Sequence, residues 1–173
     1  MNKQARYFTA LFLLLLFLQI VLFNRLDVFI MPAYSPYVLV YPLFFFLLPV
    51  EVNRPLLLLL AFIMGFLVDL SLGSPGVHAG ASVFSAYTRR FVLFLNEPRS
   101  GFEKNVVPGL GVFDLLWVLR YYGVMLFIHS LALFVLEIFT LYFFFTIILK
   151  AILTTLVSLL GILIIQLLYK PTT

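Results

Sequence analysis

The amino-acid sequence predicts an all-α integral membrane protein with about six transmembrane helices in one domain, residues 1–173. Of its 173 residues, 64% are hydrophobic and 10% are charged, whereas soluble domains are roughly 45–50% apolar. Its mean hydropathy is +1.17. Its long apolar runs lack the strict two-residue alternation of a membrane β-barrel. Helices are therefore predicted, because each helix satisfies its own backbone hydrogen bonds within lipid.

The first span is predicted at residues 7–23, and it is interpreted as a retained helix because no small-x-small cleavage site follows it. The second, residues 37–50, contains Pro42 and Pro49 and is predicted to be short and kinked. Because lipid cannot bond the carbonyl groups that a proline frees, we expect other helices to surround this span.

The third and fourth spans, residues 56–72 and 77–95, are joined by a short turn. The fourth differs from the others because four polar side chains recur along it at intervals of four, three and four residues, which places them on one helical face. This polar face predicts an interior helix. Its members are His78, Ser82, Ser85 and Arg89.

A polar loop, residues 96–118, precedes the last two spans, residues 119–138 and 147–169. Asp114 is predicted to cap a helix, and three aromatic residues after it are expected at headgroup level. They are Trp117, Tyr121 and Tyr122.

The final hairpin carries two further polar features. Glu137 and Lys150 are expected to pair across the turn, because pairing lowers the cost of a charge near the membrane. The row Lys150, Thr154, Ser158 and Gly161 has helical spacing and predicts close helix packing.

The positions of the basic residues predict the orientation. Nine of the eleven Lys and Arg residues fall on one side when the N-terminus is placed in the cytoplasm, as the positive-inside rule requires. Both termini are therefore predicted to be cytoplasmic.

Asp69 is the residue around which the chain is organised, since an acid within an apolar span is a functional-site hypothesis by default. Ala61, Gly65, Asp69 and Gly73 recur every fourth residue and share one face. A rise of about 1.5 Å per residue places Ser82 level with Asp69 and His78 about one turn above it, so these two are the expected partners. Arg89 lies too far along its helix to reach Asp69, so Arg89 and Arg90 are expected to extend to the inner interface.

The candidates for binding a partner or ligand are Asp69, His78, Ser82 and Arg89. Two interpretations remain open: a buried hydrogen-bonded anchor, or a ligand or ion site. A catalytic pair is disfavoured because no second carboxylate or nucleophile motif accompanies Asp69 and His78. We predict no enzymatic activity, metal or cofactor, and we interpret His129 as a hydrogen-bonded histidine of the bundle. Packing and turn roles are expected for Gly65, Gly73, Pro75, Gly76 and Gly80.

The run from Gly65 to Ala79 resembles the signature of the bacterial rod shape-determining protein MreD family. That signature has glycine, a hydrophobic residue and an acid, followed by a small-residue turn and a G-x-H-A helix start. The resemblance continues in residues 87–90, in residues 98–102 and in Trp117 with Tyr121. Arg90 departs from it, because related sequences often carry proline there.

The resemblance implies a non-enzymatic inner-membrane subunit of the cell-elongation complex, which scaffolds lateral peptidoglycan synthesis and controls cell shape. It implies MreC, MreB, RodA and penicillin-binding protein 2 as partners, besides membrane lipid and without nucleic acid. The expected fold resembles the substrate-binding subunit of energy-coupling-factor transporters. The alternative is therefore a transporter subunit that binds a small ligand.

Overall fold

The structure, a computed structural model, describes residues 3–23, 36–74 and 76–168. The all-helical prediction is confirmed for this part of the chain, which has no β-strand and only one isolated bridge. The helices are α1 (Lys3–Phe17, continued by a π-helical turn at Leu18–Leu22), α2 (Leu43–Phe46), α3 (Arg54–Leu72), α4 (Val77–Leu95), α5 (Leu115–Ile138) and α6 (Phe144–Leu168).

Within the described residues, four helical stretches are long and apolar enough to cross a membrane: Gln4–Leu22, Arg54–Leu72, Leu115–Ile138 and Phe144–Leu168. Helix α4 has 19 residues, as α3 does, but the polar residues on its inner face lower its hydropathy. Many large apolar side chains are exposed, including Leu13, Phe62 and Leu160, as expected where lipid replaces water. The chain is a membrane-embedded helical protein, and the count of six spans remains a prediction.

The structure corrects the second predicted span. Residues 37–50 do not form a long helix: only Leu43–Phe46 are α-helical, in a single turn directly after Pro42. We call residues 36–50 the crossing segment. The expectation that protein surrounds it is confirmed, because residues 38–48 are all buried.

The crossing segment runs antiparallel to α5, from one end of the bundle to the other. The Tyr37 hydroxyl lies 2.9 Å from Glu137 at the end of α5, and the Tyr41 hydroxyl lies 2.8 Å from His129 at its middle. Val50 donates its backbone N–H to the loop before α5. A non-helical chain advances up to about 3.3 Å per residue, against 1.5 Å in a helix. This short segment can therefore cover a bilayer core about 30 Å thick.

Helices that follow each other in the chain pack together, α3 on α4, α4 on α5 and α5 on α6. At Gly65 the approach of α3 to α4 is so close that an added Cβ would lie 2.5 Å from the backbone oxygen of His78. The close contact predicted on this face is thus confirmed at Gly65.

Both expectations for the final hairpin need correction. Glu137 accepts the Tyr37 hydroxyl, and the Lys150 ammonium lies 5.7 Å from the centre of the Phe134 ring, so these two charges do not pair with each other. The other three members of the polar row on α6, Thr154, Ser158 and Gly161, face the crossing segment rather than a second helix. An added Cβ at Gly161 would lie 3.5 Å from the Val40 side chain.

Helix α5 begins at Leu115, earlier than predicted, and Asp114 caps it as expected by accepting the N–H of Trp117. Tyr121 and Tyr122, predicted at headgroup level, have fully buried side chains. Their hydroxyl groups donate to the carbonyls of Phe46 and Pro108. Burial lets these tyrosines bond non-helical backbone that lipid would leave unsatisfied.

Candidate functional site

Asp69 lies in the last turn of α3 and caps the beginning of α4. Its Oδ1 accepts the backbone N–H of His78 at 2.9 Å, and its Oδ2 accepts that of Ala79, also at 2.9 Å. These are first-turn donors of α4, which have no partner within their own helix. The N-cap residue of α4 is Gly76, which has no side chain to bond them. A negative charge at this place also stabilises the positive end of the helix dipole.

Two side chains complete the surroundings of the Asp69 carboxylate. Ser74 donates its hydroxyl to Oδ1 at 2.6 Å, and His78 Nδ1 lies 3.0 Å from the same oxygen. His78 is therefore confirmed as a partner. Ser82 is not, because its buried hydroxyl lies near Tyr41 instead. Sequence analysis missed Ser74, although a serine within the turn after a buried acid is a usable signal.

The turn that brings these groups together depends on two glycines. Gly73 and Gly76 have φ angles of 67° and 80°, in the left-handed region, where only glycine is free of steric cost. Their predicted turn role is confirmed. Gly80 faces α5, with an added Cβ 2.9 Å from the end of the Leu136 side chain. Pro75 lies outside the described residues.

A second polar group lies at the middle of the bundle, around His129. The Tyr41 hydroxyl is 2.8 Å from Nε2 and Ser85 Oγ is 2.9 Å from Nδ1. Ser85 donates its own proton to the carbonyl of Ala81. His129 Nδ1–H must then donate to Ser85, and Nε2 accepts from Tyr41. The prediction of a hydrogen-bonded histidine is confirmed.

Arg89 forms the third polar group, and its predicted extension to the interface is wrong. Its side chain is 1% exposed. The guanidinium donates to the carbonyls of Phe46, Leu48 and Pro49, and Nε donates to the Tyr121 hydroxyl at 3.0 Å. Because α2 is a single turn, the carbonyls at its end lack helical partners, and Arg89 replaces them. Only the neighbouring Arg90 is exposed.

The beginning of the crossing segment is bonded in the same way by α1 and α6. Gln19 accepts the N–H of Val40 at 2.8 Å and donates to the carbonyl of Val38 at 3.1 Å. Ser158 accepts the N–H of Leu39, and Thr154 accepts that of Tyr37. Sequence analysis did not single out Gln19, although an amide within an apolar run was the available signal.

The four predicted site residues thus do not form one site. Asp69 and His78 meet at the turn, whereas Arg89 is eleven residues from His78, about 16 Å along α4. Ser82 lies between these ends. The described residues contain no group of three side chains suited to a metal ion. The Asp69 group caps a helix, and the Arg89 group bonds the backbone of the crossing segment. The His129 group bonds the Tyr41 side chain of that segment. This use of the polar groups corresponds to the anchor interpretation of Asp69.

This geometry predicts that an Asp69→Asn variant is less stable than the wild type. Both carboxylate oxygens accept N–H donors, so an amide would place its NH₂ group against one of them. The expected cost is about 1–3 kcal/mol of folding free energy. Asp114→Asn is the matched control, since Asp114 uses one oxygen to cap α5 and asparagine caps nearly as well as aspartate.

Thermal unfolding of the detergent-purified variants measures this difference. The melting temperature of Asp69→Ala should be lower than that of Asp69→Asn, because alanine offers no oxygen to any of the donors that Asp69 bonds. Equal melting temperatures for Asp69→Asn and the wild type would contradict the capping role.

Comparison of the chain with protein-family models, with curated proteins and with solved structures gave no match.

Proposed function

We propose that this protein is a non-enzymatic subunit of the bacterial cell-elongation complex, embedded in the inner membrane with both termini in the cytoplasm. In this proposal it scaffolds lateral peptidoglycan synthesis and so controls cell shape. Its partners would be MreC, MreB, RodA and penicillin-binding protein 2. The proposal rests on the resemblance of the run from Gly65 to Ala79 to the MreD family.

One structural observation carries the proposal beyond the resemblance. The residues that define that run act together, because Gly65 contacts the backbone of His78 and Asp69 caps the helix that His78 begins. The residues that carry the resemblance therefore form the turn and the contact between α3 and α4. The residues of the signature therefore fix how two helices pack, and they do not form a reactive site. This role is expected for a subunit that acts by binding partners through its surfaces.

The use of the buried polar groups also favours a scaffold over a ligand-binding transporter subunit. Four donors already surround the Asp69 carboxylate: the Ser74 hydroxyl, the His78 ring and the N–H groups of His78 and Ala79. A ligand cation at Asp69 would have to displace at least one of them. Each displaced donor would be left buried and unpaired, at a cost of about 1–3 kcal/mol.

The test is depletion of the protein from a rod-shaped bacterial host, with a tagged copy for affinity purification. We expect depleted cells to become round, the tagged copy to restore rods, and elongation proteins to co-purify with it. Two results would overturn the proposal: depleted cells that remain rods, or co-purification with an energising ATPase module in place of elongation proteins.

A further inference from the structure

A cavity of about 470 Å³ lies between the beginning of α3 and the end of α4. Its size is within the range of small-ligand sites, roughly 300–1,000 Å³. Apolar side chains form part of its wall, among them Leu57, Phe94 and Phe102. Four exposed charged side chains also line it, namely Glu51, Arg54, Arg90 and Glu97.

These four charges do not neutralise one another by direct contact. In the described part of the chain the only ion pair within 4.0 Å is that of His78 with Asp69. The Arg54 guanidinium lies 5.7 Å from the centre of the Tyr87 ring, a contact that leaves its N–H donors available. Arg89 also lines the cavity, but backbone carbonyls occupy its guanidinium.

The surroundings of the cavity are those expected at the level of lipid head groups. Trp117 lies beside it, with its ring centre 6.3 Å from that of Phe102, and tryptophan is enriched at membrane interfaces. On the lipid side, Phe91, Phe94 and Leu95 are 63–69% exposed. An acyl chain extending from the cavity would contact this apolar surface.

We propose that this cavity binds the head group of a phospholipid that carries both a phosphodiester and a primary ammonium. Arg54 and Arg90 hold the phosphate, because guanidinium groups bond phosphate oxygens with high geometric specificity. Glu51 and Glu97 accept the ammonium. Of the exposed side chains in the lining, two are positive and two are negative. Both charges of a zwitterion therefore find a partner, whereas an anionic head group would leave Glu51 and Glu97 without one.

The beginning of α3 adds a further favourable interaction for the phosphate. Its N-cap, Asn53, makes no side-chain bond to the first turn, and the helix N-terminus carries a partial positive charge. This arrangement places positive potential on the side of the cavity that holds Arg54. The inference does not depend on the role in cell elongation.

Native mass spectrometry of the purified full chain tests the inference by measuring lipid retention after exchange into mixed micelles. The probes are phosphatidylethanolamine, phosphatidylcholine, whose quaternary ammonium cannot donate a hydrogen bond, and phosphatidylglycerol, which has no ammonium. We expect phosphatidylethanolamine to be retained about tenfold more strongly than the other two. Millimolar glycerophosphoethanolamine should displace it, because the head group alone retains the recognised chemistry.

The variants divide the site into its two halves. The double variant Arg54→Gln/Arg90→Gln should reduce retention of phosphatidylethanolamine about tenfold. The double variant Glu51→Gln/Glu97→Gln should abolish the preference over phosphatidylglycerol. The matched control is Arg99→Gln/Glu103→Gln, which removes two exposed charges of the neighbouring loop that do not line the cavity. This control should change neither the retention of phosphatidylethanolamine nor its preference over phosphatidylglycerol.

Size-exclusion chromatography and circular dichroism establish that each variant is folded before retention is measured. Equal retention of the three lipids by the wild type would overturn the inference. So would a preference for phosphatidylethanolamine that survives in both cavity variants.

Discussion

Replacing Arg89 by methionine is expected to release the end of the crossing segment and to lower the free energy of unfolding by about 3 kcal/mol. Methionine fills much of the same volume but donates no hydrogen bond. The carbonyls of Phe46, Leu48 and Pro49, which Arg89 now bonds, would remain buried without partners. Arg89→Lys should be intermediate, because an ammonium lacks the planar fork of a guanidinium.

The adjacent arginine provides the control for this prediction. Arg90 follows Arg89 directly but is exposed, so Arg90→Met should leave stability nearly unchanged. The chain contains no cysteine, which allows a single Leu47→Cys probe within the crossing segment, where Leu47 is buried. Maleimide labelling of this probe should accelerate in Arg89→Met and stay slow in Arg90→Met. Equal labelling rates in the two variants would refute the role of Arg89.

Replacing Gly65 by alanine is expected to separate α3 from α4 and to cost roughly 3 kcal/mol, the upper end of overpacking effects. The new Cβ would lie 2.5 Å from the backbone oxygen of His78 and 2.7 Å from Ala79 Cα. Because both are backbone atoms, no change of side-chain rotamer relieves the clash, and the helices must move apart. That movement would also lengthen the bonds from Asp69 to the N–H groups of His78 and Ala79.

Gly123 on α5 is the matched control, because an added Cβ there meets no atom within 4 Å. Gly123→Ala should be neutral or stabilise the protein by about 0.5–1 kcal/mol, the usual gain within a helix. Melting temperatures of the two variants in detergent are the measurement. A Gly65→Ala protein as stable as Gly123→Ala would refute the close helix approach.

The spacing of residues predicted one partner of Asp69, His78, correctly, and another, Ser82, wrongly. Helical rise placed His78 about one turn above Asp69, and His78 is bonded to it. The same arithmetic placed Ser82 level with Asp69, but equal depth does not decide which way a side chain turns, and Ser82 lies toward Tyr41. Ser74 was missed because the conformation of the turn, with Gly73 and Gly76 both left-handed, decides how close its hydroxyl comes.

The polar faces of α4 and α6 could be recognised in the sequence from residue spacing, but the segment that each face contacts could not. Spacing along a helix shows which residues share a face, whereas the element that covers this face comes from a distant part of the chain. Arg89 bonds residues about forty positions earlier, and Ser158 bonds Leu39, 119 positions earlier. The interpretation of Arg89 as an interfacial residue failed for this reason.

The sequence by itself determined that this is a helical membrane protein, where α3 and α4 lie, and that His78 is within reach of Asp69. These features follow from apolar run length and helical rise, which are local properties. Only the tertiary structure decided that the crossing segment is largely non-helical. Its two prolines, Pro42 and Pro49, are compatible with either a kinked helix or an irregular backbone, so the sequence could not distinguish them. The irregular chain persists because Gln19, Arg89, Thr154 and Ser158 supply the hydrogen bonds that its backbone cannot make for itself. Lipid could not supply them.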